Sequence, residues 1–257
     1  MKARVLSALL LATLAAAAGG LGATTTHASV VGRRTTQPIA TAARYGGTIK
    51  IEYTTDFISL DPAIALDLDG WMTVWSVLFD QLYRFDHFAH VYPDVAATLP
   101  RISGGGTVYT IPIRHGIRFS NGREITADDV AYSLTRTLDP KTKSYGQSFL
   151  TTIAGANDFI NGKATAVKGI KVLGRYLLRL TLSHPQAVFF NDLATAVSSI
   201  VPKEEVQRWG KNWSHHPVGS GPYVLKEWTV GRQLIFTPNP YYHGTHPRIG
   251  TVIYEVG

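Results

Sequence analysis

Cysteine is absent from the 257 residues. That removes disulfides, thiolate catalysis, cysteine-based zinc sites and cysteine-linked lipid anchors together. Charge is sparse as well: Asp, Glu, Lys and Arg make up 17% of the chain, too few for a long coiled coil or an acidic disordered tail. The formal net charge of +7 is scattered, with no run of five or more basic residues. It therefore points to neither nucleic acid nor an anionic membrane as partner. Beyond the N-terminus no apolar run approaches the length needed to cross a bilayer. What the chain does contain is 45% hydrophobic and 11% aromatic residues, punctuated by 24 glycines and 13 prolines. At this length, that is enough apolar surface for one large or two modest globular domains.

Lys2 and Arg4 precede an apolar run from Val5 to Ala18, which Gly19 and Gly20 break. A short basic segment, an apolar stretch and then small residues form the pattern of a secretory signal. Thr26-His27-Ala28 offers small residues for a signal peptidase, so residues 1–28 are expected to be removed. The alternative, an uncleaved anchor, needs about 20 apolar residues, more than this run supplies. Residues 29–45 lack hydrophobic periodicity and read as a flexible leader. The expected location is periplasmic or secreted, without a lipid anchor.

Folded sequence begins at Gly46-Gly47. Thr48 to Tyr53 alternates Ile49, Ile51 and Tyr53 with polar residues, as a strand does. A helix capped by Asp69 is expected from Gly70, with Trp71, Val74, Trp75, Leu78 and Leu82 on one face. Val77, Phe79 and Tyr83 make its other faces apolar too, so it should be buried. A loop containing Pro93 and Pro100 and a Gly104-Gly105-Gly106 turn follow. Val108–Ile113 and Ile117–Phe119 read as short strands, closed by a turn at Asn121-Gly122. Thr126 suits a helix N-cap, Val130, Leu134 and Leu138 the buried stripe, and Asp139-Pro140 the stop. Hairpins are expected around Gly174-Arg175 and Val230-Gly231, a short helix after Pro202 ending at Gly210, and a last strand at Thr251–Val256. Strands and helices mix without a strict repeat, so the class is mixed α/β.

Motifs for chemistry mostly fail their own requirements. Gly219-Ser220-Gly221 is not a nucleophile elbow, because the positions two residues either side of the serine are Val218 and Pro222. No phosphate-cradling loop, dinucleotide fingerprint or HExxH occurs. Asp67-Leu68-Asp69-Gly70 starts like a calcium loop but lacks further ligands, and Asp128-Asp129 reads as helix-end electrostatics rather than a catalytic pair. His215-His216, with His243 and His246, is the one cluster that raises a metal; its spacing is not diagnostic. Trp71 and Trp75 read as core rather than the floor of a pocket. No cofactor, metal or catalytic residue is expected.

Five segments in order carry a resemblance: YTTDFISLDPA (53–63), WSVLFDQLYRFD (75–86), YTIPIRHGIRFSNGREITADDVAYSLTRTLDP (109–140), the hairpin ending YLLRLTL (176–182), and PVGSGPYVLKEW (217–228). Together they resemble the extracellular solute-binding proteins of family 5, the peptide-, dipeptide- and nickel-type receptors of ATP-binding-cassette importers. The resemblance covers about residues 45–257. Three departures stand out: Pro112 places Ile111–Ile113 at an edge or bulge, Ser120 stands where many members have histidine, and Ser220 replaces the family's threonine.

The resemblance implies a periplasmic-binding-protein-like lobe of class II type with an extra small α+β domain. Residues 46–75 and 187–257 would supply the lobe and 76–186 the extra domain. Family members are about twice this length, so the distal lobe would be missing. Such receptors close two lobes around a ligand and present it to an inner-membrane permease, acting as monomers. The implied ligand is a di- or oligopeptide. The loop Thr54-Thr55-Asp56-Phe57 matches the family's cleft loop, and Gly219-Ser220-Gly221 would allow close backbone approach between lobes. A nickel or metal-chelate receptor, an inactive N-terminal fragment and an extracellular hydrolase are the competing readings.

Overall fold

The computed structural model describes residues 45–65 and 68–257. The expected signal peptide and residues 29–44 of the leader lie outside the described residues, as does Asp67 of the calcium-like sequence.

The alternating segment at Thr48–Tyr53 forms β1, and the next element, α1, spans Leu68–Thr73. A short hairpin pairs β2 (Tyr83–Phe85) with β3 (Val91–Pro93), and β4 (Arg101–Ser103) leads through the triple-glycine turn into β5 (Val108–Pro112). Next come α2 (Ala127–Leu138), α3 (Ala156–Ile160), and the hairpin of β6 (Ile170–Gly174) and β7 (Leu177–Thr181). The chain closes with α4 (Phe189–Asp192), α5 (Lys203–Trp209), the hairpin of β8 (Tyr223–Thr229) and β9 (Gln233–Pro238), and β10 (Thr251–Val256).

These strands make two four-stranded sheets. One has the order β1-β10-β9-β8, with β1 and β10 parallel from Thr48↔Thr251 to Tyr53↔Val256 and the remaining pairs antiparallel. The other, β4-β5-β7-β6, is wholly antiparallel. Period-two burial follows the sequence: Tyr109 and Ile111 of β5 oppose Leu180 and Leu178 of β7, all buried. The Val130, Leu134 and Leu138 stripe of α2 joins the same core with Phe119, Leu150 and Phe189. A second core gathers Phe57, Leu60, Val74, Leu78, Phe79, Trp213, Leu234 and Phe236. At the start of α2 the Asp129 carboxylate closes a capping box with Thr126, accepting the Thr126 backbone N–H at 2.8 Å.

Five expectations need correction. The helix expected from Gly70 begins at Leu68, so Asp69 lies inside it rather than capping it. It stops early, too: a π-helical turn over Val74–Leu78 ends at Phe79, which is extended, so Leu82 and Tyr83 lie beyond it. The carbonyl of Leu78, orphaned at a helix end, accepts the Gly221 N–H at 3.0 Å. Ile117–Phe119 is no strand; only a single bridge, Arg118↔Glu124, forms there. Pro112 belongs to an inner strand, not an edge or bulge. It is tolerated because β4 pairs with β5 only as far as Thr110, and the Pro112 carbonyl faces Ala97 instead, accepting its N–H at 2.8 Å. The supposed loop around Pro93 and Pro100 also holds the two short strands β3 and β4.

Candidate functional site

Loop 54–57 leaves the carboxyl end of β1, beside the carboxyl end of its parallel neighbour β10. In open α/β sheets this is where ligands sit, because the strand ends leave a crevice bordered by loops. The loop is fixed from within by Phe57, which is 4% exposed. Its ring lies 5.1 Å from Tyr53 and 5.8 Å from Tyr254, and Tyr254 in turn packs 5.0 Å from Phe236. Asp56 acts as a latch. One carboxylate oxygen accepts the Phe57 N–H at 2.7 Å and the Trp228 Nε1–H at 3.3 Å; the other accepts the amide of Gly231. Gly231 needs its φ of 72° to make the β8–β9 turn, so the latch ties the loop to that hairpin. Thr54 and Thr55 are exposed, as are Ile58 at 72% and Val230 at 69%. Of the four residues singled out in the sequence, two face solvent and two hold them in place.

Gly219-Ser220-Gly221 is buried. A Cβ on Gly219 would lie 2.0 Å from the Leu78 carbonyl oxygen, and one on Gly221 2.6 Å from the Leu78 carbonyl carbon. Side chains are excluded because two backbones touch. The Gly219 carbonyl also accepts the Ser120 N–H at 2.7 Å, and Asn239, fully buried, donates its side-chain amide to the Gly221 carbonyl at 2.9 Å. Asn239 escaped the sequence reading; its only signal was the Asn-Pro pair typical of turns.

Sequence reasoning also missed a buried charge cluster behind this junction. Arg84 bridges Asp80 (3.1 Å) and Asp94 (3.0 Å), and His243 sits between the same carboxylates at 3.5 and 3.2 Å. Tyr242 reaches Arg84 at 3.4 Å. Burial, reinforced by the Asp94 charge, pushes the Asp80 carboxyl up to about 6, against the pull of Arg84 and His243. Elsewhere Arg136 of α2 grips Asp61 in a two-pronged pair at 2.8 and 2.5 Å. All five family-like segments thus meet through backbone contacts and ion pairs inside the fold: 53–63 with 109–140 through Asp61 and Arg136, 109–140 with 176–182 through the β5–β7 ladder, and 75–86 and 109–140 with 217–228 through the glycine junction.

The histidines are dispersed. His215 lies on Trp228 (4.3 Å), His216 stacks on Trp209 (3.5 Å), and His243 belongs to the carboxylate cluster. Among the described residues no group of three His, Asp or Glu is placed to hold a metal ion. Trp71 packs on the second core. Trp75, besides donating to the Ala194 carbonyl at 2.9 Å, lines an open cavity of about 190 Å³ with Arg84, Phe85 and Tyr92.

Residues 90–257 match the family described as bacterial extracellular solute-binding proteins, family 5 Middle. The periplasmic oligopeptide-binding protein OppA of Escherichia coli K12 is 32% identical over 170 residues, 64% of this chain and 31% of that protein. The dipeptide-binding protein of Lactococcus lactis is 30% identical over 203 residues, 76% of this chain and 36% of that protein. Among solved structures, Listeria monocytogenes OppA bound to peptide superposes with a TM-score of 0.76 at 28% identity, covering 82% of this chain and 42% of that one. The chain therefore spans about a third of the length of these curated relatives. These relatives are binding proteins rather than enzymes, and the lobe with its added antiparallel sheet is theirs in fold. This chain belongs to the family 5 bacterial extracellular solute-binding proteins.

Proposed function

We propose that the chain builds the first lobe and the extra domain of a receptor that binds di- or oligopeptides and presents them to an ABC permease in the inner membrane. The observation that carries this reading is the loop at the carboxyl end of β1: latched by Asp56, anchored by Phe57, and offering Thr54 and Thr55 to solvent. Two hydroxyls and main-chain groups, rather than charges, suit an extended peptide held by its backbone, with water filling the side-chain pockets. Gly219, Ser220 and Gly221 contribute rigidity rather than ligand contacts.

The domain division 46–75 plus 187–257 for the lobe and 76–186 for the extra domain draws support in outline from the two cores, which place Leu78 and Phe79 with the lobe and Phe189, Leu193, Ala194 and Ile200 with the extra domain. One draws on residues 82–200, the other on 57–79 and 196–254. The opposing wall of the cleft belongs to the part of the relatives that this chain does not match. We further propose that the receptor is exported, acts as a monomer and alters nothing chemically in its ligand.

Isothermal titration of the chain with tri- to pentapeptides, and separately with Ni²⁺, tests this. Peptides should give saturable heats and Ni²⁺ none. Thr55→Val should weaken peptide binding about 2- to 12-fold, the worth of one hydrogen bond. Saturable nickel binding without peptide binding would replace the proposal by the metal-chelate reading. Silence with every ligand would favour the inactive fragment.

A further inference from the structure

A second cavity, of about 310 Å³, opens between the segment after β1 and the turn after α5. None of its lining residues belongs to the 54–57 loop. Its floor is the Asp61–Arg136 pair, 5% and 13% exposed, whose charges cancel. The Asp61 carboxylate is used up by Arg136 and by the Ala63 N–H at 3.0 Å. Two further cations, Lys141 and Lys211, line the same space, and neither has a carboxylate partner among the described residues. These two ammonium groups bring about +2 to the lining; the nearby carboxylate of Asp139, which accepts the Lys141 backbone N–H at 2.9 Å, offsets part of it and is not itself a lining group.

Its hydrogen-bonding inventory is equally lopsided. Thr142 and Ser214 bring hydroxyls with no partner of their own among the described residues. Trp213 also lines the space; it is 1% exposed, and its Nε1–H has no acceptor. Of the side chains lining this cavity, it supplies the one buried polar atom left unpaired. Buried indole N–H groups ordinarily find an acceptor, since leaving one unmade is costly. Donors and positive charge in excess, with the sole carboxylate spent, describe a site that lacks an oxyanion.

We propose that this cavity binds a small oxyanion of the phosphate or carboxylate class. Lys141 and Lys211 supply the charge, Thr142 and Ser214 supply directed hydrogen bonds, and the unpaired Trp213 indole N–H, enclosed beside the cavity, reports on its occupancy. Lysine suits such a ligand as a point charge, while Arg136, already committed, positions the floor.

The test is a titration of the ¹⁵N-labelled chain with inorganic phosphate at constant ionic strength, balanced with NaCl, following the indole N–H signals of its five tryptophans. One signal should move with saturation, and it should be the one missing from Trp213→Phe. The melting temperature should rise with phosphate above the NaCl control. Lys141→Gln/Lys211→Gln should weaken the apparent affinity at least tenfold while leaving the other four signals in place. Because both lysines are exposed, this double variant keeps the test decisive even if Trp213→Phe fails to fold. Succinate in a parallel titration separates the sources: a response to succinate alone assigns a carboxylate ligand, and to phosphate alone a phosphate. No movement with either anion, or an equal response in the double lysine variant, overturns the proposal.

Discussion

Replacing Gly219 by alanine should destabilise this protein, although by local rules it should do the opposite. The φ of Gly219 lies outside the left-handed region, so alanine fits its backbone, and restricting the unfolded chain alone would stabilise by about 0.4–1 kcal/mol. Against that stands the tertiary contact. The new methyl carbon would sit 2.0 Å from the Leu78 carbonyl oxygen and 2.8 Å from Phe79 Cδ1. The nearest of these atoms is backbone, and it belongs to the carbonyl that the Gly221 N–H caps at 3.0 Å, so relieving the clash breaks a hydrogen bond as well. Overpacking typically costs about 1–3 kcal/mol and here reaches the upper part of that range, a net loss of about 2 kcal/mol. For a chain of this size that lowers the melting temperature by about 4–8 °C. Gly174→Ala is the matched control. It too lies outside the left-handed region, its Cβ would meet nothing within 4 Å, and it should stay within about 0.5 kcal/mol of the parent. Circular-dichroism melts of both variants decide the matter. An unchanged midpoint for Gly219→Ala, or an equal loss for Gly174→Ala, would refute the argument that backbone contact excludes a side chain at this junction.

Other perturbations have equally definite outcomes. Arg136→Met strands the Asp61 carboxylate in a buried position and should cost about 3–5 kcal/mol in urea unfolding, part of which Asp61→Leu in the same chain should restore. Asp80, facing Asp94, Arg84, Tyr242 and His243, has a folded-state pKa raised to about 6 from 3.8. Its contribution therefore favours the fold below about pH 4 and is lost as pH rises through about 6. Relative to the parent, Asp80→Asn should gain stability between pH 4.5 and 7.5; urea midpoints showing a flat or reversed difference would contradict this. Asp56→Ala leaves the Gly231 N–H and Trp228 Nε1–H without their acceptor. Amide exchange at Gly231 should accelerate by about tenfold or more, with little change in α2.

Much of the fold could be read residue by residue. β1, the α2 stripe, the hairpins around Gly174-Arg175 and Val230-Gly231, and the final strand follow from alternation, i, i+4 spacing and turn residues. Thr126 and Asp129 announced the start of α2 three residues apart. The site was only half legible. Its location followed from the resemblance of residues 53–63, but nothing in Thr54-Thr55-Asp56-Phe57 distinguishes the exposed threonines from the buried anchor and the latch, whose tertiary partners Tyr254, Trp228 and Gly231 lie more than 170 residues away.

The sequence by itself determined the elements whose signals lie within one or two turns of chain: strand alternation, helix stripes, caps, and the turns that glycine and proline mark. Tertiary structure alone decided where the helix after Leu68 ends, because its last carbonyl is capped by Gly221, and how an inner strand accommodates Pro112, because its neighbour stops at Thr110. It also decided that Asp80, Arg84, Asp94 and His243 share one buried cluster. The reason is the range of the interactions. Periodicity and capping are written in neighbouring residues, whereas a buried carbonyl or carboxylate takes its partner from whichever distant segment packing brings within 3 to 4 Å.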